Sequence, residues 1–240
     1  MSRETTKEYL HRLAKERLEV LKRQNPDSAH DLESIEKELH ISFRDTMERR
    51  WDALMQKVGV RYSDVTLENY QASNEKQNAA LERIKAYAEN IADEICNGRG
   101  VLLYGSTGTG KDHLLLSLSR VAIMDGFRIQ WVNGVELFSL MREAMRTDAS
   151  EEETLRRFME TRVLVLSDPM PPSGTLTDYQ SATLYRLMDQ RYRNVLPTWC
   201  SLNVAGASEA RERMGAAIVD RLRDGALAIE CFWESYRKAR

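Results

Sequence analysis

The sequence predicts an α/β fold: a parallel sheet covered by helices, preceded by a small all-helical module. Three observations carry that expectation. From residue 98 onward, short apolar runs alternate with longer segments of helical periodicity, the pattern of strand–helix–strand units. One such run, Val101 to Tyr104, leads into the glycine-spaced loop GSTGTGKD and then into a helix. Nothing before Gly59 reads as a strand. The expected organisation is therefore a helical module over residues 1–60 and an α/β domain over residues 61–240.

The chain has 240 residues, enough for one medium domain with a full core and a smaller appendage. Charged residues make up 30% and nearly cancel to a formal net charge of −2, so contact with nucleic acid needs local patches rather than a bulk field. Cys96, Cys200 and Cys231 lie far apart without a C-x-x-C pairing, which indicates neither a zinc site nor a disulfide framework. The first residues, MSRETTKEYLHRL, are charged and carry no apolar signal region, and no stretch approaches a membrane span. The expectation is a soluble cytoplasmic protein with reduced thiols and no membrane contact.

In the helical module, Leu10, Leu13, Leu18 and Leu21 give the stretch from Thr5 to Gln24 a helical period. Asn25-Pro26-Asp27 reads as a break and cap before a second helix holding Leu32, Ile35 and Leu39. A third is expected from Phe43 to Val58, with Phe43, Met47, Trp51, Leu54 and Met55 on one face. Such a module either packs on itself as a hairpin or serves as a docking arm for a partner protein.

After the connector RYSDVTLENY, a helix is expected from Glu75 to Ile95. Strands follow at Val101–Tyr104, Arg128–Asn133, Arg162–Leu166, Pro197–Val204 and Ala226–Phe232. Helices fill the intervals: one ends near Asp125-Gly126, and others cover Gly134–Glu160, Thr177–Arg193 and Ser208–Arg223.

Gly105, Gly110 and Lys111 match the fixed places of the Walker A pattern G-x-x-x-x-G-K. In such a loop (Gly105, Ser106, Thr107, Gly108, Thr109, Gly110, Lys111) backbone N–H groups close around phosphate oxygens. The helix N-terminus adds its positive end, and the lysine reaches the outer phosphates. A plain glycine-rich turn would not require the strand, the lysine and the helix together. The next position, ordinarily Ser or Thr for magnesium, is Asp112. It reads either as an acid capping the helix start or as a carboxylate meeting the metal.

Nucleotide hydrolysis also needs an acid at the end of a neighbouring strand. In VLVLSDPMPP, counting from the four apolar residues puts Ser167 in the place of the metal-binding acid and Asp168 in the place of the base. Sliding by one makes Asp168 the metal residue and leaves Pro169 where the base belongs. Either register lacks one acid. The first register suggests that Asp112 and Ser167 exchange roles around magnesium, with Asp168 as base or additional metal ligand.

With these elements placed, the chain resembles the DnaC/IstB-like helicase-loader branch of the AAA+ ATPases over residues 62–240. DVTLENY is similar to that branch's F-E-N-[FY] opening, and GSTGTGKDHLLLSL to its G-x-x-G-T-G-K-[TN]-H-L-A box, which brings His113 into the nucleotide-binding segment. LPTWCSLNV resembles the strand that carries sensor 1, here Asn203. IVDRLRDG resembles the arginine-finger box, here Arg221 with Arg223 as the weaker candidate, and FWESYRKAR the tail bearing sensor 2, here Arg237. Ser167 and the long PMPPSGTL turn depart from the pattern.

The resemblance implies ATP and Mg2+ bound between adjacent subunits of a ring or spiral. Lys111 would serve the phosphates, Asp112, Ser167 and Asp168 the metal, and Asp168 and Asn203 the water, with Arg221 acting in trans. It also implies single-stranded DNA as a second ligand and a replicative helicase or transposase docked on the N-terminal helices. Arg186, Arg191, Tyr192 and Arg193 mix cations with an aromatic as backbone tracking and stacking need, although the same stretch also reads as a solvated helix end. Two classes stay open: an ATP-driven loader or transposition helper, and an adaptor that binds ATP for assembly with little hydrolysis. A small-molecule kinase is disfavoured, because no Arg-rich lid segment is present.

Overall fold

The computed structural model describes residues 6–24, 31–147 and 150–237. Among them, five strands form one sheet in the order β2-β3-β4-β1-β5, every neighbouring pair parallel. The strands are β1 (Val101–Gly105), β2 (Ile129–Asn133), β3 (Val163–Ser167), β4 (Thr198–Asn203) and β5 (Leu227–Cys231). All five expected strands are present. Helices cover both faces, so the central strands are buried on both sides, which explains their unbroken apolar runs.

Alternation along the strands divides the interior into two layers. Val101, Leu103, Val163, Val165 and Trp199 face one layer, packed against α3 (Glu75–Glu89) and α5 (Lys111–Met124). Leu102, Leu164, Leu166, Cys200 and Leu202 face the other, against α6 (Gly134–Arg146), α7 (Glu151–Glu160), α8 (Asp178–Arg193), α9 (Ala207–Met214) and α10 (Ala216–Arg223). Each fully buried Leu or Val stabilises the fold by about 1.5–3 kcal/mol relative to an exposed one.

The amino-terminal helices differ from the expectation in two respects. After α1 (Thr6–Gln24), the expected second and third helices are one, α2 (Leu32–Val58), capped by Asp31, whose side chain accepts from the Ser34 backbone N–H. No glycine or proline lies between residues 32 and 58, so nothing in the chain stops the helix. The break expected at Asn25-Pro26-Asp27 lies outside the described residues. The boundary expected at residue 60 does not separate two cores. Met47, Trp51, Leu54 and Met55 of α2 belong to the same apolar cluster as β1 and α5, and Lys57 reaches the backbone oxygen of Trp131 and the carboxylate of Glu136. Only α1 and the part of α2 before Phe43 contribute no side chain to that cluster.

Three other expected helices are divided. The segment before β1 bends at Asn90 into α3 and α4 (Ile91–Cys96), and α6 and α7 are separate, the latter capped by Ser150. Helix α9 ends at Gly215, whose φ of 99° is a conformation that favours glycine, and α10 starts there. No helix among the described residues is long and apolar enough to cross a membrane.

Candidate nucleotide-binding site

Strand register decides which side chains meet at the carboxyl ends of the central strands. Ser167 and Ser201 are partners across β3 and β4, and Asn203 is opposite Gly105 of β1. Ser167 follows Val163 and Val165 at period two, and Ser201 and Asn203 follow Trp199. All three therefore point to the face on which α5 starts. The loop from β1 must cross onto that face to begin α5, and it does so through Gly105 with φ 145°. A Cβ built there would lie 2.3 Å from the Cys231 backbone oxygen, so no side chain fits.

Lys111 folds back into this loop. Its Nζ donates to the backbone oxygens of Gly105 (3.1 Å) and Ser106 (2.7 Å) and approaches Thr109 Oγ1 at 3.4 Å. Burial pushes the ammonium below its ordinary pKa, opposed in part by the negative charges of Asp168 and Asp112. A cation held against neutral carbonyls in this way is ready for phosphate oxygens, which are stronger acceptors.

Asp112, the out-of-pattern residue, is held by the two strand hydroxyls. Ser167 Oγ donates to its Oδ1 at 3.0 Å and Ser201 Oγ at 2.9 Å. The sequence reading placed Asp112 and Ser167 in one site; here they are in direct contact. Ser201 was not singled out, although its position two residues before Asn203 on a strand puts it on the same face. Asp168 lies just beyond β3 with φ 42°, a left-handed conformation uncommon for a residue with a side chain. It accepts a hydrogen bond from Asn203 Nδ2. Burial, and after it the neighbouring charge of Asp112, push its carboxyl above the usual range.

Lys111, Asp112, Ser201 and Asp168 line a cavity of about 410 Å³ together with Thr107, Gly108, Asn203 and Arg237, while Ser167 stands behind Asp112 and does not reach its wall. Its other wall is the connector before α3, with Tyr62, Asn69, Tyr70 and Gln71. His113 braces that wall: its Nε2 pairs with the Thr66 backbone oxygen at 2.9 Å, and its ring meets Tyr70 edge-on. The tail after β5 closes the third side. Trp233 Nε1 donates to the Thr109 oxygen (2.9 Å), the Tyr236 backbone N–H to the Gly108 oxygen (2.9 Å), and the Tyr236 hydroxyl to the Gln71 oxygen (2.6 Å). The tail motif FWESYRKAR is legible in the sequence, but the seating of Trp233 and Tyr236 on the loop depends on the fold.

Two expectations meet a different outcome. Arg191 cannot contact DNA: it is 1% exposed. Its guanidinium donates to the backbone oxygens of Phe158, Thr161 and Pro197 (2.8, 2.8 and 2.6 Å) and to Thr198 Oγ1 (3.0 Å). It closes the carboxyl end of α7 and ties it to the start of β4, a structural use of a cation at a helix C-terminus. Its neighbours on α8 also have partners within the chain: Arg186 pairs with Glu152, Arg193 with Asp189, and the Tyr192 hydroxyl with Asp224. Arg221 does not join the cavity. It sits at the opposite end of the strands, in a cleft with Gly98, Gly100, Thr198 and Gly225, which lie at or next to the amino ends of β1, β4 and β5.

A parallel five-stranded sheet in this order, with a phosphate loop after β1 and polar residues ending β3 and β4, defines a P-loop protein of the AAA+ type. Comparison with known proteins agrees. The profile of the IstB-like ATP binding proteins matches residues 4–240, and the chain belongs to that family. It is 25% identical over 182 residues to the replicative helicase loader DnaC of Escherichia coli K12, covering 75% of this chain and 72% of that one. Among solved structures, the DnaC helicase loader superposes with a TM-score of 0.64 at 24% identity, over 72% of this chain and 99% of that one. AMPPCP-bound DnaA from Aquifex aeolicus superposes with a TM-score of 0.57 at 22% identity, over 72% and 50%.

Proposed function

We propose that the chain is an ATP-binding helicase loader of the DnaC kind, working in DNA replication as a self-associating ring or spiral. The observation that supports this most directly is the convergence of Lys111, Asp112, Asp168, Asn203 and Arg237 on one cavity at the phosphate loop. The loop amides and Lys111 bind the ATP phosphates. Asp112 and Asp168 on the cavity wall, with Ser167 bonded behind Asp112, form a set of hard oxygen donors in which burial and then the charge of Asp112 raise Asp168, and such a set fits Mg2+. Bound magnesium supplies neutralisation of the charge that builds on the γ-phosphate.

In this reading Asp168 takes the proton of the attacking water and Asn203, already bonded to it, orients that water. Arg237 reaches the phosphates from the tail. Arg221 lies too far along the strands to serve its own cavity, and serves the nucleotide of a neighbouring subunit. A trans arginine of this kind is worth on the order of 10³–10⁵ in rate, so turnover depends on assembly. The amino-terminal helices dock the replicative helicase, and single-stranded DNA is the second ligand. The family match over residues 4–240 favours a second reading, a transposition helper whose helical arm docks a transposase instead.

ATP turnover by the full-length protein and by Lys111→Ala, with and without single-stranded DNA and a replicative helicase, tests the proposal. The expected result is wild-type turnover that rises with protein concentration and is lost in Lys111→Ala. Turnover no higher than the variant's would reject hydrolysis. Failure to bind the helicase, with binding to a transposase, would move the assignment to the transposition helper.

A further inference from the structure

Helix α10 buries Leu222 and turns the preceding residue, Arg221, towards α8. There it meets one stripe of side chains, Tyr185, Asp189 and Tyr192, spaced i, i+4 and i+7. Arg221 Nε and Nη2 both donate to Asp189 Oδ1, at 3.1 and 2.8 Å. Nη2 also donates to the Tyr185 hydroxyl at 3.1 Å, and Nη1 to the Ala217 backbone oxygen at 3.0 Å. The guanidinium carbon stands 4.7 Å from the centre of the Tyr185 ring and 5.9 Å from that of Tyr192. Exposed ion pairs between two mobile side chains contribute little. Here both partners are about one-fifth exposed, four hydrogen bonds hold the guanidinium, and two tyrosine rings flank it.

We infer that Asp189 is the positioning residue of Arg221, holding the Nε edge of the guanidinium so that its Nη end faces an anion brought by a second copy of this chain. This rests on the proposal that Arg221 acts in trans. The partners of Arg221 differ in how readily they give way. Asp189 carries a full charge and keeps its two hydrogen bonds, whereas Ala217 O and the Tyr185 hydroxyl are neutral acceptors that a phosphate displaces. The arginine then bridges Asp189 and the neighbour's γ-phosphate without a change of rotamer, avoiding the loss of freedom a long side chain otherwise suffers at an interface. ADP, which has no γ-phosphate, leaves the neutral acceptors in place. The geometry also separates two arginines of α10: no ion pair among the described residues involves Arg223.

The test compares wild type, Asp189→Asn, Asp189→Glu, Arg221→Ala and the Asp189→Asn/Arg221→Ala pair as full-length proteins. Each is assayed for the protein concentration giving half-maximal self-association with a non-hydrolysable ATP analogue or with ADP, for nucleotide affinity, and for melting temperature. Asp189→Asn is expected to raise the midpoint with the ATP analogue about tenfold, leaving nucleotide affinity and the ADP midpoint unchanged, with Asp189→Glu recovering part of the loss. In the Arg221→Ala background it is expected to have no further effect. An Asp189→Asn midpoint equal to wild type, or an equal loss in both backgrounds or with ADP, would overturn the positioning role while leaving Arg221 in place. An Arg221→Ala midpoint equal to wild type would overturn the trans arginine itself.

Discussion

Replacing Asp112 by Asn tests the role of that carboxylate with little change of shape. The side-chain oxygen of Asn still accepts from Ser167 and Ser201, so the 3.0 and 2.9 Å contacts survive and only the charge is removed. In the wild type without a divalent cation, that charge opposes the phosphates. Two unit charges roughly 5 Å apart at an effective dielectric of ~20 repel by about 3 kcal/mol, on the order of a hundredfold in affinity. With Mg2+ between them the sign reverses, because the carboxylate is then a ligand. Wild-type ATP affinity should therefore fall on chelation of Mg2+ by on the order of a hundredfold more than that of Asp112→Asn.

Titration of a fluorescent ATP analogue with Mg2+ and with EDTA measures the ratio directly. An equal ratio in the two proteins would refute a metal-facing carboxylate and leave Asp112 as the acceptor that ties the start of α5 to the ends of β3 and β4. The same logic predicts that Asp112→Thr alone loses metal-dependent affinity, whereas Asp112→Thr with Ser167→Asp recovers it by returning the acid to the strand. Higher turnover in the single Asp112→Thr variant would argue against the exchange.

Two further substitutions separate function from stability. Because Asp168 is held above its ordinary value of 3.8, the native state binds its proton more tightly than the unfolded chain. Stability is then lost as pH rises from the unfolded pKa through the raised folded one. Asp168→Asn should raise the melting temperature of the ligand-free protein at pH 7, with the gain fading below about pH 4, and should abolish turnover while nucleotide still binds. A lower melting temperature at pH 7 would contradict this. Arg191→Met should cost about 3–5 kcal/mol in urea unfolding, since it strands the carbonyls of Phe158, Thr161 and Pro197; a loss under about 1 kcal/mol would show that water replaces the guanidinium.

The strands, their parallel arrangement and the phosphate loop were legible because each rests on a local pattern: an apolar run of four or five residues, a glycine spacing, a lysine at a helix start. The two complementary departures, an acid gained at Asp112 and one lost at Ser167, suggest an exchange of roles around magnesium; their direct contact is visible only in the fold. What could not be read depends on register and distance. Ser201 is an unremarked serine until β3 and β4 are aligned. Arg191 and Arg193 are two residues apart on one helix, about 200° around its axis. That step sends one into the carbonyls at the end of α7 and the other to solvent, and composition does not tell them apart. The continuity of α2 was missed for a different reason. His40, Ile41 and Ser42 are weak helix formers rather than breakers, and tertiary packing of Trp51 and Leu54 outweighs a local preference of a few tenths of a kcal/mol per residue.

The two carboxylates of the site have different hydrogen-bond partners, and that difference supports the separate roles proposed for them. Asp112 receives two hydroxyl hydrogen bonds on one oxygen, leaving the other for a cation. Asp168 receives an amide hydrogen bond from Asn203, and burial shifts it towards keeping a proton. Neighbouring acids with separated environments are the usual basis for assigning one to charge stabilisation and the other to proton transfer. In the common pattern the metal acid sits at the strand end beside the base, and a helix hydroxyl completes the set. Here the acid has moved to the helix and the hydroxyl to the strand, and the hydrogen bond between Asp112 and Ser167 joins the exchanged places. The count of one acid and one hydroxyl is unchanged, so the substitution at either position alone is a defect while the two together preserve the donor set. What the proposed exchange would alter is proximity: an acid on the phosphate-binding helix would face the nucleotide directly and would make ATP binding, as well as chemistry, depend on Mg2+.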